Sequence, residues 1–134
     1  MRCDNCDGEA VPGGKYCPRC RKFTDVPREG KERAAALKRA WRSGEGGFMC
    51  KYTGVKLDES NPKSPWYLTF DHRMPHGKGE LDVVAAFINS MKTDMTEEEF
   101  VTVVVALGKR FEGRFDRETL KLDNWVRAVR PARR

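Results

Sequence analysis

Long apolar runs are missing from this chain. No stretch of its 134 residues approaches the roughly 20 apolar side chains of a membrane span, and the start Met-Arg-Cys-Asp-Asn-Cys has no apolar core like that of a secretory signal. This reading excludes a membrane or exported protein and expects a cytoplasmic one. Histidine is scarce, with only His72 and His76, so imidazole chemistry has few places to occur. Sizeable apolar side chains are almost absent from residues 1–25, where Val11, Tyr16 and Phe23 stand beside Met1. Hydrophobic burial alone cannot fold that segment. The length excludes a large multi-domain enzyme and leaves room for one modest domain with a small appendage. There is no internal repeat.

Charge and cysteine are what the chain does have. Charged residues make up 34% and hydrophobic ones 39%, which allows a small core and excludes a fully disordered chain. The net charge of +6 suits a polyanionic partner, because lysine and arginine gain by displacing counterions from a phosphate backbone. It equally suits a merely soluble basic surface. Of the five cysteines, four form two Cys-x-x-Cys pairs, Cys3 with Cys6 and Cys17 with Cys20, and Cys50 is left over. In a reducing compartment such pairs favour metal over disulfides, and four soft thiolates suit tetrahedral Zn2+. Gly8, Pro12, Gly13 and Gly14 let the connection between the pairs double back. The module resembles a zinc ribbon. Four thiolates fill a tetrahedron, so the metal is structural, and folding is coupled to binding it. Arg2, Lys15, Arg19, Arg21 and Lys22 make the module basic enough to touch DNA or a protein.

Beyond it, residues 28–42 are alanine-rich and basic. Ala36, Ala40, Leu37 and Trp41 at four-residue spacing predict an exposed helix with a narrow apolar stripe. The Gly-rich SGEGG that follows is the candidate boundary between the N-terminal part and the main domain. FMCKYTGVKL, a turn-forming DESNPKSP and the strand-like WYLTF predict a hairpin-like start to a small sheet. Pro75, Gly77 and Gly79 predict a surface loop, and LDVVAAFINSMK is read as a strand passing into a helix. Thr96 with Glu99 three positions on is a capping box, opening an amphipathic helix through Phe100, Val103, Val104 and Leu107 to about Arg110. Glu97, Glu98 and Glu99 are read as a first-turn acidic run that complements the helix dipole, and Trp41, Trp66 and Trp125 as packing residues.

Residues 48–103 resemble the core of HNH, or His-Me finger, nucleases. The resemblance rests on Tyr52-Thr53-Gly54, on Asp71-His72 followed by Pro75, and on Asn89 with Lys92 three positions later. It implies an α+β fold: a small ββα-metal core with flanking helices, preceded by the zinc-ribbon module. The corresponding units are residues 1–25 for the ribbon, 26–47 for a basic helical linker, and 48–134 for the nuclease domain with a C-terminal helical extension. It implies a metal-dependent DNA endonuclease that nicks, with His72 as general base and Asp71 and Asn89 holding one catalytic Mg2+ or Mn2+. Histidine suits proton abstraction near neutral pH, and carboxylate and amide oxygens are hard ligands. Lys92, Arg73, His76 and Lys78 are the candidate nucleic-acid contacts. Double-stranded DNA is the implied partner, in a phage or prophage setting within a bacterial host cell, with a homodimer or a phage packaging protein as further partners.

The chain departs from the family pattern in three places. Asn89 stands where many members have a histidine. The middle asparagine, which steadies the base, falls near Glu80, so its role passes to Glu80 or Asp82 or is unassigned. A second zinc held by many relatives is reduced here to Cys50 and Thr53. Geometry adds a condition: neighbours in a strand point to opposite faces, so Asp71 and His72 must lie at a strand end to address one phosphate. The rival readings are a non-catalytic zinc-ribbon adaptor with a degenerate core, and an RNA-directed protein.

Overall fold

Backbone bonding in the first turn of chain starts from the cysteine spacing. The computed structural model describes residues 1–74, 80–113 and 122–126. Cys3 N–H donates to the Gly8 carbonyl and Arg2 bridges Glu9, so the first Cys-x-x-Cys pair sits on a closed loop. The second pair does not form a matching knuckle. Cys17 caps helix α1 (Pro18–Thr24) and Cys20 lies in its first turn, because Pro18 at the first helical position is pre-set for a helix start. The N-terminal module is thus a loop facing a helix.

Helix α2 (Gly30–Ala40) buries Ala34, Ala36 and Leu37 against α1 and the main sheet. The exposed helix expected here is therefore half-sunk, because alanines on one face let its backbone approach closely. A close approach is also built into its start, where a Cβ on Gly30 would lie 2.8 Å from the Thr24 carbonyl oxygen. The Gly-rich break turns a hairpin between β1 (Trp41–Arg42) and β2 (Gly47–Phe48), with Trp41 opposite Phe48. Residues 48–57 form a second hairpin-like turn, in which Leu57 N–H donates to the Phe48 carbonyl.

Strands β3 (Leu68–His72) and β4 (Leu81–Ala85) pair antiparallel, with Asp71 opposite Asp82 and His72 opposite Leu81. Helix α3 (Ala86–Lys92) follows β4 directly, as its sequence predicts, and packs on both strands. The alternation along β3 decides which groups meet. Thr69 and Asp71 face α3, while Phe70 and His72 face α1 and α2. One apolar cluster joins Phe23 and Leu37 to Leu68, Val84 and Ile88. Helix α4 (Glu97–Phe111) starts with the expected capping box, but only Phe100 is buried, against Tyr52. Val103, Val104 and Leu107, the further apolar positions of this amphipathic helix, are exposed. The fold is mixed α and β, with two small antiparallel sheets and four helices among the described residues. The C-terminal extension falls largely outside them, and among them no helix is long and apolar enough to cross a membrane.

Candidate metal centre and Asp-His-Asn site

The Sγ atoms of Cys3, Cys6, Cys17 and Cys20 all lie within 4.8 Å of one another, and all four residues are buried. Cys6 and Cys17 sulfurs are 3.5 Å apart, too far for a disulfide, and all four cysteines are free. Backbone N–H groups already point at sulfur: Asn5 donates to Cys3 and Gly8 to Cys6. Burial opposes ionisation of Cys3, but hydrogen bonds from the backbones of Asn5, Cys17 and Cys6 and from the Cys20 side chain outweigh it and bring the thiol down to about 7. Burial dominates at Cys6 and pushes it up to about 11, and it drives Cys20 further still. Four thiolates cannot share this space without a cation, and four close cysteines can hold a metal such as zinc. Gly8 belongs to the site, since a Cβ there would lie 3.2 Å from Cys17 Sγ. Arg19 and Lys22, read as possible DNA contacts, also bind within the chain: Arg19 pairs with Glu59 against Trp41 and Phe48, and the exposed Lys22 donates to the Glu59 carbonyl.

The unit β3–β4–α3 brings Asp71, Asn89 and Lys92 to one face. Asn89 donates through Nδ2 to Thr69 Oγ1 and to the Phe70 carbonyl, both at 3.3 Å, which leaves its own oxygen for a cation or water. Lys92 is 1% exposed, so it is not available to a phosphate as expected. Its ammonium lies 2.8 Å from Asp71 Oδ2, a charge contact without an aligned hydrogen bond, and donates to the His72 carbonyl at 3.1 Å. His72 points to the other face, where its Nε2 lies 3.2 Å from Glu29 Oε2. Both residues are the last of β3, so only a phosphate placed off the strand end meets the two together.

Glu80 and Asp82, the candidates for the missing asparagine role, are engaged elsewhere. Arg73 pairs with Glu80 at 2.7 Å and with Asp82 at 2.9 Å, while Lys51 pairs with Asp82 at 3.0 Å and also with Glu97. Burial opposes the charge on Asp82, but Arg73 and Lys51 hold its carboxyl below the usual range. Tyr52, donating to Glu97, is pushed up by burial and by the nearby carboxylates. Glu97 is therefore more than a dipole partner for its helix. His76 and Lys78 lie outside the described residues. Sequence reading missed Glu29 and Lys51, because no local pattern links residue 29 to 72 or residue 51 to 82.

The buried Asp71 carboxylate is already paired with the Lys92 ammonium, and among the described residues the four cysteines are the group of acidic, histidine or cysteine side chains gathered closely enough to hold a metal. Comparison with family models, with curated proteins and with solved structures finds no match to this chain.

Proposed function

We propose that the chain is a metal-dependent DNA endonuclease of the HNH type, stapled by zinc at its N-terminal cysteines. The observation that supports this reading is the strand-strand-helix unit carrying Asp71 and His72 at the end of its first strand and Asn89 on its helix. His72 takes the proton of the attacking water, and Asp71 with Asn89 holds the cation. Mg2+ or Mn2+ bound there supplies the charge that stabilises the pentavalent transition state and the departing oxygen. A basic cleft of about 810 Å3 between α2, the following hairpin and β4 supports a nucleic-acid partner, with Arg39, Arg42, Lys51, Lys56 and Arg73 against Glu45 and Asp82 on its walls, though Asp71, His72 and Asn89 do not line it.

A second reading, a nucleic-acid-binding adaptor without turnover, draws support from the Lys92–Asp71 pair, because a carboxylate neutralised by a buried ammonium has less need of a dication. Supercoiled plasmid incubated with wild type and with His72→Ala, each with Mg2+, Mn2+ or a chelator, separates the two. Open-circular product from wild type alone, and only with a divalent cation, is the expected result. Intact plasmid with persistent DNA binding hands the protein to the adaptor reading.

A further inference from the structure

We infer that Glu29 is a positioning residue for His72; its catalytic meaning rests on the nuclease reading above. The contact spans 43 positions and joins the start of α2 to the end of β3. A carboxylate accepts, so at 3.2 Å Glu29 Oε2 holds the hydrogen of His72 Nε2, and Nδ1 is the nitrogen turned away from Glu29. One nitrogen held and the other turned away is the orientation a base needs.

Glu29 is itself held on three sides. Arg28 before it takes a left-handed φ of 70°, a conformation that a non-glycine residue keeps only when its surroundings impose it. Gly30 after it sits against the Thr24 carbonyl, where any side chain would clash. Arg33, one helical turn on, lies 3.4 Å from Glu29 Oε1, while its guanidinium stacks 4.7 Å from the centre of the Phe70 ring and reaches the Phe23 carbonyl. The chain Arg33–Glu29–His72 therefore fixes the imidazole through helix α2, outside the segment that carries the nuclease resemblance. A carboxylate behind a catalytic imidazole orients it and stabilises the imidazolium that forms.

The test is the tautomer of His72, read from nitrogen–proton correlation spectra of the full-length, zinc-loaded protein at pH 8.5, with His76→Gln used to separate the two histidine signals. Wild type is expected as the Nε2–H form, and Glu29→Ala as a mixture. A wild-type Nδ1–H form overturns the inference, even if Glu29→Ala proves unstable, and so does a tautomer that Glu29→Ala leaves unchanged. Plasmid nicking gives the second readout: Glu29→Ala lowers the turnover rate about 10- to 100-fold with KM little changed, the size expected for a lost orienting group. An equal rate in both proteins overturns the positioning role. A wild type that never nicks overturns the nuclease reading instead, while the tautomer still decides the Glu29–His72 contact.

Discussion

The N-terminal cysteine module and the β3–β4–α3 unit both bury ionisable groups, and they neutralise them by different means. In the module, four sulfurs crowd within 4.8 Å, and the arginine whose charge reaches Cys6 and Cys20, Arg19, is committed to Glu59. In the strand-strand-helix unit each buried carboxylate has a basic side chain of its own: Lys92 for Asp71, and Lys51 with Arg73 for Asp82. The first arrangement suits an external cation such as zinc. The second carries its cations in the sequence, so its buried carboxylates are neutralised without a metal.

The largest expected effect follows directly. Removing metal with a strong chelator should unfold the cysteine loop of residues 1–17 while the β3–β4 amides keep most of their dispersion, because structural zinc supplies on the order of 10 kcal/mol, whereas Phe23 of α1 stays packed on the sheet. An amide spectrum unchanged by chelation breaks the comparison. Next in size is Lys92→Met, which leaves Asp71 buried without its counter-charge and should cost about 3–5 kcal/mol. Adding Asp71→Asn should recover most of that loss in urea unfolding. If the double variant is as unstable as the single, Lys92 acts through packing of its stem, and charge pairing is not what holds this unit.

Sequence legibility divides along the same line. The cysteine cluster was readable because its chemistry is local, two short spacings and a flexible connection, although Pro18 turned the second pair into a helix start. The capping box and the passage from β4 into α3 were readable for the same reason. The contact of Glu29 with His72 was not, since nothing local ties residues 43 positions apart. Burial of α2 was hidden because alanine suits exposed and buried faces alike, and burial of Lys92 because a lysine beside a strand end reads as a phosphate contact. In α4 the valines look like a core stripe, but they stay nearly half exposed and only Phe100 is buried.

Acid should separate the two regions further. Asp82 has a carboxyl held below its ordinary value of 3.8 by Arg73 and Lys51 against the cost of burial. A depressed folded-state value means stability that is full at neutral pH and lost as pH falls below about 4, through the folded value. The module should respond at milder acidity, because protons compete with zinc for thiolates. Metal release and urea midpoints followed together down the pH scale should show two steps in that order, and Asp82→Asn should flatten the lower one. A single concerted step means that the two regions unfold as one unit.

The smallest effect is expected at Thr96. Its hydroxyl accepts from the Glu99 N–H at 3.1 Å, while the Glu99 carboxylate takes the Thr96 N–H at 3.2 Å. Thr96→Ala removes one half of this box, at about 1 kcal/mol. The loss should remain local, because α4 touches the rest of the protein mainly through Phe100 on Tyr52 and Glu97 on Lys51. Hydrogen exchange should therefore quicken in the first turn of α4 and leave β3 and β4 as protected as before. Equal loss of protection in the strands would mean that Lys51, bridging Glu97 to Asp82, transmits the fraying of the helix into the charged face of the sheet. The self-neutralised unit would then extend through α4 as well.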